Sequence, residues 1–500
     1  MYYQRITWVI RWVREHPLLF FAVLHAILFM AVSANLDGIH GLVGFGGLER
    51  FFTVKILDGQ VPYSDFSCEY PPLALLSFLL PGLIAATQPA YGFLFALELL
   101  LLDLVVLFIL WKLANRFKMR VWYVLGIYTL CLMAVGLVVT GRFDILPAAL
   151  VLVALYAFIS GKNKTAWAVL ALGFTAKLYP IIIAPLFALY LLRQIKLNVK
   201  HFITSFVFAL GLVLGLLGWV TDVYATSTGI ILFVVCILIT FILLIRWRIK
   251  PQHCRLVQGI AIFGGIVLVL NLPWIIINAD GYWQFLSYHM ERGLHAESSY
   301  GSMLLVGQTL GLTHVGGAMT YGSWNIVSPM ADTLAKSSFY ITASLLLPTY
   351  ALYALQLWKK SNATGGGGIF SHGAAELMLR YSLLAVLIML LTSKVFSPQF
   401  LIWLCPLVPL VRVRWRYIPW LLFLVAGAIT QYIYPYHYME FEYATLGSEL
   451  GETYLIIMLA IRNFLLLAMA VIYLFPPRSS SVNKERGEGT ADSLIPSGIV

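Results

Sequence analysis

Charge is what this chain has least of. Charged residues fill 11% of its 500 positions and hydrophobic ones 61%, whereas a soluble domain carries about 25% charged residues. So little charge cannot cover a globule in water, and this excludes a string of soluble domains. Cysteine is scarce as well: Cys68, Cys131, Cys236, Cys254 and Cys405 include no C-x-x-C pair, which argues against a disulfide framework or a zinc site. Walker A, G-x-G-x-x-G between strand and helix, H-E-x-x-H and D-x-D motifs are all missing, so neither a nucleotide-binding loop nor a metalloprotease helix is expected. No small-residue cleavage site follows the first apolar run, Leu18–Val32, which reads as a membrane helix rather than a signal. The net charge of +11 would suit a nucleic-acid partner, but the bases are scattered over short loops instead of forming one patch.

What the chain does have is long apolar runs. They predict an all-α fold, a polytopic transmembrane helix bundle of roughly 12–14 membrane segments, counting short hairpins and one interfacial helix. The bundle is expected over residues 1–476, with a disordered cytoplasmic tail over 477–500. Spans are expected at Leu18–Ser33, Tyr91–Trp111, Trp122–Val139, Ile145–Ile159, Phe202–Val220, Gly229–Ile245, Ile260–Ile277, Phe339–Leu357, Leu377–Thr392, Ile418–Tyr432 and Tyr454–Leu474. Pro72–Ala86 is short and broken by Pro81, so it reads as interfacial or re-entrant. The stretch after GKNK returns to the same side and predicts a hairpin with Lys177, Tyr179 and Pro180 at its tip.

Charge distribution orients this bundle. Of the 33 Lys and Arg, all but Arg50, Lys55, Arg142, Lys177, Arg292, Lys336, Lys394 and Arg462 fall in segments read as cytoplasmic. Of the 22 acids, only Glu15, Glu376, Glu485, Glu488 and Asp492 fall there. That asymmetry is what the positive-inside rule requires. It places the multi-pass protein in the cell membrane with its polar loops on the non-cytoplasmic face. The eight remaining cations lie where topology does not ask for a base. Cations gathered near membrane level on one side suit an anionic headgroup such as a lipid phosphate.

The first long polar stretch, Asn35–Leu73, holds Asp37, Glu49, Asp58, Asp65 and Glu69. Acids between membrane segments are unfavourable unless they face water or a water-filled cavity. Transfer of a sugar requires a carboxylate that takes the acceptor hydroxyl's proton as the oxygen attacks the anomeric carbon. Asp37, just past the first helix, is the first choice; Glu49 and Asp65 remain alternatives. Glu69 precedes a proline pair that directs the chain. His289 and His295 could orient a phosphate or hydroxyl, and YIYPYHYMEFEY could stack on sugar faces or form an interfacial belt.

Four stretches carry a resemblance: GQVPYSDFSCEYPPLALL, TGRFDILPAALVLVALY, LGFTAKLYPIIIAPLFALYLL and LTSKVFSPQFLIWLCPLVPL. Together with YHMERGLHAES they resemble the GT-C glycosyltransferases, closest to the polyprenyl-phosphate-mannose-dependent mannosyltransferases of glycosyltransferase family 87. The resemblance implies an inverting hexosyltransferase; no cofactor and no obligatory metal are expected, because the clustered cations can do the electrostatic work and no D-x-D motif occurs. It would move a hexose, mannose in that family, from a polyprenyl-phosphate donor to a lipid or glycan acceptor, with membrane lipids as its other partners. It also implies that Arg142, Asp144, Lys177, Tyr179, Lys394 and Gln399 line the cavity and hold the donor. His289, Arg292 and Arg462 are expected on the phosphate as well, with Glu69, Asp144 and Glu297 in supporting places. The family's catalytic Asp lies nearer to Gly59, where this chain reads VGFGGLERFF without Asp, so the three carboxylates stay open. An oligosaccharide polymerase or ligase using diphosphate-linked donors, and a lipid or solute transporter, are the alternative readings.

Overall fold

The computed structural model describes residues 11–34, 47–193, 251–363, 372–413, 417–446 and 452–475, with the single positions 235, 239 and 415. The first half contains α1 (Pro17–Ala34), α2 (Gly47–Leu57), α3 (Pro72–Gly82), α4 (Gln88–Arg116), α5 (Val121–Val135), α6 (Ile145–Ile159), α7 (Asn163–Ala176) and α8 (Ala184–Leu192). The second contains α9 (Pro251–Ile277), α10 (Ala279–Glu291), α11 (Ser299–Thr309), α12 (Pro329–Ala363), α13 (His372–Thr392), α14 (Ile418–Gln431), α15 (Tyr438–Thr445) and α16 (Thr453–Leu474). Asp37, the expected spans Phe202–Val220 and, apart from positions 235 and 239, Gly229–Ile245, and the 477–500 tail lie outside the described residues.

The fold is a helical bundle of a membrane protein. Among the described residues, six helices are long and apolar enough to cross a bilayer, with mean hydropathy from 1.3 to 2.8. The reason is elementary: in hydrocarbon every backbone N–H and C=O must be bonded within the chain, and a helix achieves this. Shorter apolar helices, such as the 11-residue α3, rise only about 1.5 Å per residue and fall well short of a bilayer. Exposed Leu19, Val23, Ile27 and Met30 form one apolar stripe along α1, the face such a helix turns to lipid. Window by window, α13 is 83% buried and stands at the centre, while α9 is 6% buried.

Local chemistry sets the helix ends. Thr87 caps α4 by accepting from the Ala90 N–H, and Arg116 closes its other end by donating to Ile159 O at 2.9 Å. Helix α5 stops at Val135, short of the expected Val139, because Gly136 takes φ +74° and any Cβ there would meet the Gln431 side chain. Only glycine adopts that geometry at low cost.

The ends of the bundle differ. At one, Arg412 donates to Phe117 O and meets Glu376 at 3.6 Å, Phe117 packs on His372, and Trp122 donates to Arg14 O. This basic end carries Arg14 and Arg412 beside the turn that follows α4. The opposite end carries Tyr70, Arg142, Lys177 and Lys394 between helix termini.

The helical bundle carries one small sheet: β1 (Leu294–His295), β2 (Gly316–Thr320) and β3 (Ser323–Val327) form antiparallel strands in the order β1-β3-β2. The Tyr321-Gly322 pair joining β2 to β3 has both φ values positive, the backbone of a two-residue hairpin turn. With α11, α15 and the start of α16, the sheet encloses a second small core around Leu294, Leu305, Ile326, Phe441 and Leu459. The region read as a long outer loop, Asn278–Lys336, is therefore a folded cap at the polar end.

Candidate functional site

Four elements meet at the polar end. Helix α2 supplies Glu49, the turn after α5 supplies Arg142 and Asp144, the break after α7 supplies Lys177, and the 3₁₀ turn Pro398–Trp403 supplies Trp403. Lys177 Nζ lies 2.5 Å from Asp144 Oδ1, and Trp403 Nε1 donates to the same oxygen at 2.7 Å. Arg142 Nη1 stands 3.6 Å from Glu49 Oε1. Phe143, Phe400 and Trp403 surround the Lys177 ammonium at 4.8–5.2 Å. Tyr179 stacks on Trp403 at 4.0 Å, and Phe400 stacks there at 4.2 Å.

The arrangement is incompletely satisfied. Among the described residues, both Glu49 carboxylate oxygens, Asp144 Oδ2 and the Tyr179 hydroxyl are buried without a hydrogen-bond partner. A buried polar atom without a partner is rare enough to need an account. Burial pushes the Glu49 carboxyl above its usual range, with Arg142 pulling the other way. Burial likewise lowers Lys177, against the pull of Asp144. Bringing these groups together in a dry site raises the worth of every charge a ligand offers.

A second group lies along the rim. His289 Nε2 donates to Glu69 O at 3.0 Å. Lys394 Nζ donates to Met290 O at 2.6 Å, and the His295 N–H donates to Lys394 O at 2.9 Å. Lys394 is lowered by burial and then by the like charge of Arg292. Arg292 Nε is buried with no partner among the described residues. His289 is lowered first by burial, and both Arg292 and Lys177 add to that shift.

The other expected residues fall elsewhere. Asp65 is exposed, and its carboxylate accepts from the Val61 N–H at 2.7 Å. Gln399 is half-buried beside Phe400. Arg462 is fully buried, donating to Glu297 O at 2.5 Å and to Asn463 Oδ1 at 2.9 Å, with Glu297 Oε2 at 3.4 Å. Its guanidinium has protein partners on each of these sides and ties α16 to the cap, so it is a fastening rather than an open phosphate contact. His295 donates through Nδ1 to Phe396 O, and burial holds it down at about 3, as a neutral imidazole.

Sequence reasoning passed over His25. It lies on α1 with Nδ1 2.5 Å from Asp103 Oδ2 and Nε2 2.8 Å from Thr129 Oγ1, while Tyr128 donates to Asp103 Oδ1 at 2.6 Å. With Thr140 and Gln431, His25 and Thr129 line a cavity of about 200 Å³. The signal was available: an ionisable residue alone in an apolar helix needs a partner on another helix. No protein-family model matches the chain, and neither a curated protein nor a solved structure matches it.

Proposed function

We propose that the chain is an integral-membrane glycosyltransferase of the GT-C type, inverting, and working on the non-cytoplasmic face of the cell membrane. It moves a hexose, by resemblance mannose, from a polyprenyl phosphate to a lipid or glycan acceptor. The observation that carries this reading is the pairing of opposites at one end of the bundle. Arg292, whose buried Nε has no partner among the described residues, and Lys394 lie at the same end as Glu49 and Asp144, whose buried carboxylates keep unpartnered oxygens. Cations of that kind suit a phosphate; free carboxylate oxygens suit a proton.

The chemistry follows from that division. The acceptor oxygen attacks the anomeric carbon, its proton passes to a carboxylate, and the bond from that carbon to the phosphate oxygen breaks. The electron pair stays on the phosphate, where Lys177, Arg292 and Lys394 stabilise the charge that develops. Asp37 remains the first choice for the base, and Glu49 is the buried alternative, 3.6 Å from Arg142 with neither carboxylate oxygen hydrogen-bonded among the described residues. Asp65, exposed and occupied with a turn, has less to recommend it. The test is sugar transfer and donor binding measured for Asp37→Asn, Glu49→Gln and Asp65→Asn. One of the first two should lose transfer while keeping donor binding. Full transfer in all three variants would remove the assignment of the base to this stretch, and failure of the wild-type protein to use any polyprenyl-phosphate sugar would remove the reading itself.

A further inference from the structure

Arg380 lies toward the basic end, about two turns into α13, and is 4% exposed. Its Nη2 donates to Gln356 Oε1 on α12 at 2.6 Å, and its guanidinium lies 5.2 Å from the Tyr381 ring. Among the described residues no carboxylate comes within ion-pair distance of it. The acid one turn earlier, Glu376, meets Arg412 and His372 at 3.6 and 3.7 Å instead. Beside it stands Tyr353, fully buried, with its ring 5.3 Å from Tyr381 and its hydroxyl unpartnered. Arg193, at the end of α8, is within electrostatic range of Tyr353 and stacks on Tyr190 at 3.9 Å. Two guanidiniums, each bonded only to neutral acceptors, and the unpartnered Tyr353 hydroxyl thus lie where α8, α12 and α13 meet, and among the described residues no acid forms an ion pair with either guanidinium.

A buried cation without a counter-charge is strongly unfavourable, so something anionic belongs here. The depth narrows the choice. On α12, Trp358 is 60% exposed and Lys359 follows it, within a turn of Gln356. Tryptophan followed by lysine marks where a membrane helix leaves the hydrocarbon, which sets the Arg380–Gln356 contact at headgroup level. We propose that Arg380, Arg193 and Tyr353 form an anion site at the basic end of the bundle, separate from the sugar-transfer site, that takes a phosphate group. Arginine matches phosphate by paired N–H donors, and the Tyr353 hydroxyl supplies one more. The phosphate comes either from an anionic lipid of that leaflet or from solution.

Thermal unfolding of the purified full chain in micelles separates these sources. The midpoint is followed against added phosphatidylglycerol, phosphatidylcholine, inorganic phosphate, and sodium chloride at matched ionic strength. A ligand that binds the folded state raises the midpoint with concentration. A rise with phosphatidylglycerol alone assigns the site to a lipid headgroup; the same rise with inorganic phosphate assigns it to a free anion. Arg380→Gln should shift the half-effective concentration upward by roughly ten- to hundredfold. Tyr353→Phe, which removes one oxygen and keeps the ring, should shift it less. If Arg380→Gln does not fold, Tyr353→Phe still decides. No rise beyond that of sodium chloride in the wild type, or variants that respond as the wild type does, overturns the proposal.

Discussion

Asp103 and Glu49 are both fully buried carboxylates, yet they are held in opposite ways. Asp103 accepts from Tyr128 on one oxygen and pairs with His25 on the other, and His25 in turn reaches Thr129. Neither Glu49 oxygen has a hydrogen bond among the described residues, and Arg142 stays at 3.6 Å. The first arrangement is closed and fastens α1, α4 and α5 to one another. The second is incomplete and leaves both carboxylate oxygens without a hydrogen bond among the described residues. Buried polar networks that are complete give rigidity, while incomplete ones persist where a ligand completes them. The Arg462–Glu297 pair belongs with Asp103, and the Asp144–Lys177 pair, with Asp144 Oδ2 unpartnered, belongs with Glu49.

The contrast predicts different failures. The largest effect is expected for the carboxylate that serves as base: its amide variant should lose transfer by roughly 10²–10⁴-fold while binding donor normally, measured by initial rates beside a donor-binding assay. If Glu49→Gln and Asp37→Asn both transfer at the wild-type rate, the open arrangement has no catalytic meaning.

Next in size is the closed network. Asp103→Leu leaves His25 buried without its acid and should cost about 3–5 kcal/mol of stability. Denaturant unfolding in micelles measures this, and transfer per folded molecule should be unchanged. A stable Asp103→Leu protein that has lost transfer would place the His25 network in the chemistry instead.

Lys177→Ala should weaken donor use by one to two orders of magnitude, since a charge-assisted hydrogen bond contributes roughly 1.5–3 kcal/mol. The readout is donor concentration at half-maximal rate, and an unchanged value would detach Lys177 from the phosphate.

The smallest effects are in the pH dependence of stability. Burial raises Glu49 in the folded state, so its contribution is fully present below the unfolded value of about 4.3 and is lost as pH rises through the folded value. Glu49→Gln should flatten that alkaline decline and unfold no more easily than the wild type at neutral pH. His295 runs the other way. Lowered to about 3, it contributes stability that is present above the unfolded value of about 6.5 and lost as pH falls toward the folded one. His295→Asn should flatten that acid limb in thermal unfolding followed across pH. Parallel pH profiles for variant and wild type would show that neither group titrates as its burial requires.

Much of the polar end was legible from residue order. Lys177 and Lys394 are cations at the tips of short helical returns, and the KLYP and SPQF stretches bring aromatic rings to the same place. What could not be read was which acid meets which base. Asp144 takes Lys177, 33 positions later in the chain, and Trp403, 259 positions later. Arg462, near the middle of an apolar helix, looked available until the cap folded Glu297 onto it. The cap itself left one local signal, the Tyr321-Gly322 turn between short runs of alternating residues.

By itself the sequence determined that the chain lives in a membrane, since 61% hydrophobic residues in long runs admit no other solvent. It determined where most described helices lie, because apolar length, glycine and proline act locally. The tertiary structure alone decided which buried charges are closed and which are open. That choice depends on helix packing, which sets distances of a few ångströms between groups far apart in the chain, and at those distances a shift of one hydrogen-bond length separates a fastening from a site.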